Sequence, residues 1–393
     1  MSRKLFDLNP DLKQLQDEGY HVQIKNGFLI MQDVPYVTSS RQIKRGFLAA
    51  PLLLANDKTQ PPDNHTIFFG GEFPCDQQGR PIERIRSNDA PVNIDRGLVA
   101  DRTFSAKPQP TGRYDNYYDK FTTYADILNG PARRLDATST AKTFPVIAAE
   151  GIDTIFNYLD TASSRAQITT ISNKLRMKRV AIAGLGGTGG YILDLVAKTP
   201  VEEIHLFDGD TFFQHNAFRA PGAASPADLQ EKMPKVVYFE RIYTRMRRGI
   251  VPHIEYLTAA NVESLRDFEF VFLCMDGGDK PAIVTALERF DVPFIDVGMG
   301  LYVSDSSLGG ILRVTTSTPG KRDHIWTKRR IPFADNMDRN EYSQNIQIAD
   351  LNALNAALAV MRWKRLRGFY LDQEQEHFST YTIGGNDIVN EDK

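Results

Sequence analysis

One stretch constrains the architecture of this chain more than any other: VAIAGLGGTGGYILDLVAKTPVEEIHLFDGD, from Val180 to Asp210. The apolar run Val180 to Ala183 reads as a strand, Gly184, Gly186, Gly187 and Gly189 turn the chain, and Tyr191 to Lys198 continue as a helix. Glycines let the backbone turn tightly and let a phosphate approach more closely than a Cβ would allow. The start of the helix then offers unpaired N–H groups and the positive end of the helix dipole. A nucleotide phosphate is the expected guest. Asp208 falls 24 residues after Gly184, at the tip of the next strand, where a carboxylate can accept hydrogen bonds from ribose hydroxyls. Two chemistries remain open at this point: hydride transfer with a nicotinamide cofactor, and adenylation with ATP.

The flanking sequence extends the pattern. The apolar runs RVAIAG, EIHLFD, FVFLCM and PFIDVG are separated by segments long enough for helices, a βαβ rhythm that predicts a parallel sheet covered on both faces. Near the end, IADLNALNAALAVMRWKRL is predicted as one long helix packing through Leu351, Leu354, Ala357, Leu358 and Met361. Upstream the texture differs. HVQIKNGFLIMQ alternates apolar and polar residues around Asn26-Gly27, a hairpin signature, and Thr66 to Phe69 is a further strand candidate leading into a loop with Cys75. Between about Arg102 and Lys142 the apolar periodicity fades and prolines and glycines accumulate. The predicted organisation is an α+β accessory domain over 1–140, a linker and arm over 141–175, and an α/β Rossmann-like doubly wound domain over 176–393.

Composition narrows the partners. The chain has 393 residues, enough for more than one core, and 47 Lys and Arg against 49 Asp and Glu, a formal net charge of -2. That near-balance gives no whole-chain reason to expect nucleic acid or an anionic membrane. The longest apolar stretch, around Phe47 to Ala55, is interrupted by Pro51, and MSRKLFDLNP has no signal-peptide core, so the expectation is a cytoplasmic protein without a membrane span. The 2 cysteines, Cys75 and Cys274, exclude a disulfide framework and any four-cysteine zinc site.

Downstream of the glycine loop, DGDTFFQHNAFRAPGAASPADLQEKMPK is followed by FVFLCMD. Asn216, Arg219, Lys235 and Asp276 make the set that a reaction at the α-phosphate of ATP needs, with cations against the triphosphate and a carboxylate at a strand end for Mg²⁺. Hydride transfer needs none of these. No Tyr is followed four residues later by Lys, so the acid pair usual in short-chain dehydrogenases is missing.

In these motifs the chain resembles the ThiF/MoeB and ubiquitin-activating-enzyme-like superfamily. The resemblance rests on the glycine loop from Gly184 to Gly189, Asp208 and Asp210, Asn216 to Arg219, Lys235, and Asp276 after Cys274. It implies ATP and Mg²⁺ as cofactors and a homodimer in which Arg165, in SSRAQI, reaches the nucleotide of the opposite subunit. It also implies a partner, a small ubiquitin-like protein whose C-terminal Gly-Gly carboxylate becomes an acyl-adenylate. Asp276 would hold Mg²⁺, Asp208 the ribose, and Arg219, Lys235 and Arg165 the phosphates. Two departures stand out: Gly277 occupies a place where the family commonly has Asn, and Lys232 competes with Lys235. The alternatives are an NAD(P)-dependent oxidoreductase and a catalytically silent scaffold that binds a ubiquitin-like protein.

Cys274, inside an apolar run, reads as a small buried hydrophobe. Cys75, in a turn-rich loop, is the candidate thioester acceptor of a carrier or conjugating-enzyme-like N-terminal domain. Two basic runs, Lys321 to Arg330 and Arg241 to Arg248, read as a loop able to meet an acidic partner and as an exposed helix surface. Neither is assigned to nucleic acid, because no aromatic-interleaved basic module accompanies them.

Overall fold

Asn26 and Gly27 both take positive φ, 48° and 77°, and close the hairpin between β1 (Val22–Lys25) and β2 (Phe28–Val37). This begins a six-stranded sheet with β3 (Ile43–Pro51), β4 (Thr66–Gly70), β5 (Arg86–Asn88) and β6 (Arg102–Ser105), in the order β1-β2-β3-β4-β6-β5. The computed structural model describes residues 2–149, 154–333 and 346–393. Its chain divides into two units, Met1–Ile147 and Ala148–Lys393. Residues 150–153 of the predicted linker lie outside the described residues.

In the first unit the strands alternate as the pleat requires: Leu29, Met31, Leu48 and Ala50 join one core, while Ile30, Phe47 and Ala49 join another on the opposite face. The first core is closed by α1 (Tyr117–Leu135), whose buried residues include Tyr117, Phe121, Tyr124 and Leu128. That helix runs through a region predicted to lack apolar periodicity. Its inward stripe is made of tyrosines as much as aliphatics, and each hydroxyl reaches a backbone partner: Tyr117 donates to the Pro51 carbonyl at 2.7 Å and accepts from the Leu53 N–H at 2.8 Å.

The second unit holds an eight-stranded sheet. Its parallel part is β7 (Arg179–Ala183), β8 (Glu203–Phe207), β9 (Ile250–His253), β10 (Phe270–Leu273) and the start of β11 (Phe294–Ser304); β12 (Ser307–Ser317), β13 (Phe378–Thr382) and β14 (Asp387–Glu391) continue it antiparallel. The order is β9-β8-β7-β10-β11-β12-β13-β14. The predicted parallel sheet is thus a mixed one.

Helices cover both faces, which makes the fold doubly wound α/β. Against Val180, Ile182, Phe270 and Phe272 lie α2 (Gly187–Val196), α3 (Lys235–Tyr243) and α5 (Ala349–Leu366); against Ala181, Val271 and Leu273 lies α4 (Lys280–Arg289). The long helix corrects the predicted stripe. Leu351 is buried, but Met361 is 47% exposed, and the packed face runs through Asn352, Asn355, Ala356, Ala359, Val360 and Trp363. Two of those are asparagines, which a hydrophobic pattern skips. Asn352 serves the glycine loop, as shown below, and Asn355 donates to the Gly298 carbonyl at 3.1 Å.

Candidate active site

The parallel strands end level with one another: Ala183 lies beside Phe207 on one side and Leu273 on the other, and Phe207 lies beside His253. The residues that follow these ends therefore emerge along one edge. Strand order reverses between β7 and β10, the place where open α/β sheets leave a crevice. A pocket of about 470 Å³ occupies it, lined by Gly184 and Gly186, Asp208 and Asp210, Arg219, Lys235, and the turn Cys274 to Asp279.

The glycine loop divides its labour. Gly184 has φ 90°, and a Cβ there would stand 2.6 Å from the Cys274 carbonyl oxygen, so the turn beside β10 excludes any side chain. A Cβ on Gly189 would fall 1.9 Å from the Gly184 carbonyl oxygen, and one on Gly187 1.8 Å from Asn352 Nδ2. Gly187 and Gly189 do not line the pocket; they let the loop, α2 and α5 pack together. Gly186 does line it, and the nearest atom to its Cβ position is Gln347 Oε1 at 3.8 Å. This is where the backbone leaves room for a ligand at the helix start.

Asp208 is buried and fixed by the backbone, accepting from the Leu185 N–H at 2.7 Å and the Asp210 N–H at 2.9 Å. Lys235 opens α3, is 5% exposed, and donates to Asp210 Oδ2 at 2.6 Å, with Asp208 Oδ2 at 3.6 Å. That bond, and a second from the Tyr256 hydroxyl to Asp210 Oδ1, hold the Asp210 carboxyl below its usual range. Lys232 is exposed and absent from the pocket, so Lys235 is the lysine of this site.

Arg219 reaches the pocket with a buried Nε that has no hydrogen-bond partner among the described residues. Asn216 does not line the pocket. It is buried, and its Oδ1 accepts from the Phe213 N–H at 2.8 Å, shaping the turn before Arg219. Asn352 donates to the Arg219 carbonyl at 3.2 Å and accepts from Thr188 Oγ1 at 3.0 Å, tying that turn to the glycine loop.

Asp276 is exposed at the pocket. Beside it Gly277 has φ 143° and nothing within 4 Å of a Cβ, which leaves open space where an Asn side chain would stand. Cys274 is half-buried and lines the pocket, its thiol pushed up by burial and by the Asp296 carboxylate. Beneath this turn, fully buried Asp296 is paired with Lys280 at 2.7 Å and Arg313 at 2.6 Å. Sequence reading missed these three, and also Tyr256, Leu257, Thr258, Asp279 and Gln347 of the lining. The signal for Tyr256 to Thr258 was present: IVPHIEYL is a short apolar run whose end joins the same edge.

Other candidates lie elsewhere. Arg165 ends a short helix, Thr161–Arg165, is exposed, and does not line the pocket. Cys75 corrects its expectation of exposure: it is 1% exposed, because its N–H bonds to the Val37 carbonyl at 2.7 Å and its strand-like bridges to Val37 and Pro81 fold the loop over it. Burial, reinforced by Asp76 and Glu72, pushes its thiol up. The run Lys321 to Arg330 is spent internally, Arg322 on Asp291 at 2.7 Å and Arg330 on Asp392 at 2.8 Å. In the other basic run, Arg247 is fully buried, not exposed.

The doubly wound unit thus carries a glycine loop, two cations and a strand-end carboxylate at its switch point, the layout of a nucleotide-binding crevice. Residues 165–299 match the ThiF family. Residues 10–161 match a family described as a domain of unknown function, DUF6791. No curated protein matches the chain. Among solved structures, E. coli MccB with MccA-N7isoASN is 16% identical over 59% of this chain and 70% of its own, with a TM-score of 0.47. E. coli MccB with ATP is 18% identical over 59% and 69%, with a TM-score of 0.43. Selenomethionine PaaA is 16% identical over 57% and 75%, with a TM-score of 0.45.

Proposed function

We propose that this protein uses ATP to adenylate the C-terminal carboxylate of a small protein or peptide, and that the substrate is a ubiquitin-like protein ending in Gly-Gly. The observation that carries the reading is the convergence of Arg219, Lys235, Asp276 and Gly186 on one pocket at the switch point. A carboxylate oxygen attacks the α-phosphorus, the bond to the bridging oxygen of pyrophosphate breaks, and acyl-adenylate and pyrophosphate result. Arg219 and Lys235 stabilise the charge that builds on the phosphate oxygens, and the start of α2 beside Gly186 adds its positive dipole end. Asp208, held by two backbone N–H groups, takes the ribose side.

Magnesium fits the donor set. Among the described residues no group of three His, Cys, Asp or Glu forms a cage, while Asp276 stands exposed at the pocket. One carboxylate completed by substrate phosphates and water is the usual way proteins hold this ion, which supplies charge neutralisation when bound. E. coli MccB has been solved with ATP and with MccA. We read the assembly as a homodimer, with Arg165 acting across the interface.

The test is ATP–pyrophosphate exchange with peptides ending in Gly-Gly and with control peptides, in the wild type and in Asp276→Ala, beside an NAD(P) titration. Exchange that requires the Gly-Gly carboxylate and disappears in Asp276→Ala supports the reading. Tight NAD(P) binding without exchange sinks it in favour of an oxidoreductase. A protein that binds the ubiquitin-like partner with no exchange would be a scaffold.

A further inference from the structure

We propose that Tyr256 is a positioning residue for the nucleotide, holding Asp210 so that Lys235 keeps its place in the pocket; this rests on the adenylation reading of the same site. Tyr256 follows the end of β9, the third parallel strand to reach the site edge, and lines the pocket. Its loop is built rather than loose. Asn261 Nδ2 donates to the Tyr256 carbonyl at 2.9 Å and to Glu255 Oε2 at 3.0 Å, and its Oδ1 accepts from the Thr258 N–H at 2.8 Å. The Ala259 N–H donates to Asp279 Oδ2 at 3.3 Å, joining this loop to the turn that carries Asp276.

The ring lies over Gly209, the residue between the two aspartates. A Cβ on Gly209 would meet Tyr256 Cε2 at 2.7 Å, so glycine is what admits the ring. From there the hydroxyl donates to Asp210 Oδ1, while Asp210 Oδ2 accepts from Lys235 at 2.6 Å. Each carboxylate oxygen thus has one donor. Lys235 carries three protons and spends one on Asp210, which leaves the others for phosphate oxygens. Without the phenol, Oδ1 turns to Lys235, the ammonium is drawn onto both oxygens, and its hold on the triphosphate weakens. Tyr256 is 57% exposed, so its hydroxyl is not required by the core.

The experiment uses the whole protein. Binding of the non-hydrolysable analogue α,β-methylene-ATP is measured by calorimetry, and ATP KM and kcat by pyrophosphate exchange, for the wild type, Tyr256→Phe, Gly209→Ala and the double variant. Tyr256→Phe keeps the ring and the unfolding temperature; analogue affinity falls about tenfold and ATP KM rises to match, with kcat within about twofold. Gly209→Ala, which pushes the ring off its seat, gives a similar loss, and the double variant loses no more than either single one. Equal affinity of Tyr256→Phe and wild type, a fall in kcat alone, or additive losses in the double variant overturns the inference while leaving the adenylation reading intact. A wild type that binds no ATP analogue overturns both.

Discussion

Arg247 shows how far one residue can stand from its sequence-level reading. It belongs to RIYTRMRR, arginines at helical spacing that read as an exposed face, yet it is fully buried. Its guanidinium donates to the carbonyls of Thr199 at 3.2 Å, Val201, and Glu202 at 3.2 Å, collecting the chain between α2 and β8, and to the Arg248 carbonyl at 3.0 Å. Burial lowers it to about 10, still cationic at neutral pH. Arg247→Met should destabilise the protein by about 3 kcal/mol, because several buried carbonyls lose a charged donor, and urea unfolding measures it. Asp210 makes a pH prediction. Its folded value lies below the usual carboxylate range through Lys235 and then Tyr256, so its contribution is fully present above the unfolded value near about 3.9 and is lost as pH falls through the folded one. The stability difference between wild type and Asp210→Asn should be flat from about pH 8 to 5 and shrink below about 4. Legibility at this scale followed chemistry. Gly184, Asp208, Arg219, Lys235 and Asp276 were legible because the proposed phosphate reaction calls for those types in that order, and all line one pocket. Gln347 was missed because nothing in its own neighbourhood marks it, and Tyr256 because the short run IVPHIEYL does not by itself say which edge its end joins.

Among elements, the glycine loop and the long helix decide each other. Gly187 exists for Asn352 of α5, and Gly189 for the Gly184 carbonyl, whereas Gly186 has open space. Alanine substitutions should therefore separate. Gly189→Ala meets backbone and should cost about 2–3 kcal/mol or more in urea unfolding, while Gly186→Ala should unfold like the wild type and lose affinity for an ATP analogue by about tenfold or more, read by calorimetry. The helix itself was legible as a helix; its packed face was not. Its stripe includes Asn352 and Asn355 because the surface it meets is backbone, made of the Arg219 and Gly298 carbonyls. Apolar periodicity reports burial against apolar neighbours and is silent about polar ones. The same limit hid α1, where tyrosines do the packing.

For the whole molecule, the two units have separate cores, clusters of aromatic and aliphatic side chains in each. A fragment of residues 148–393 should fold cooperatively and bind an ATP analogue within about threefold of the full chain, checked by calorimetry. Cys75 should resist a maleimide at pH 7.5 until the protein is unfolded, and Cys75→Ala should leave pyrophosphate exchange unchanged. No helix among the described residues is long and apolar enough to cross a membrane. The sequence by itself determined the nucleotide-binding unit, because a strand, a glycine turn, a helix and an acid are local constraints, each satisfied within a few residues of backbone geometry. It also named Asp208, Arg219, Lys235 and Asp276, the residues of the proposed reaction, and these line one pocket. Tertiary structure decided which glycines pack and which face the ligand, that Cys75 is covered, that the sheet continues antiparallel, and that Tyr256 joins Asp210. Each of these depends on atoms brought together from distant segments, and no local pattern carries that distance.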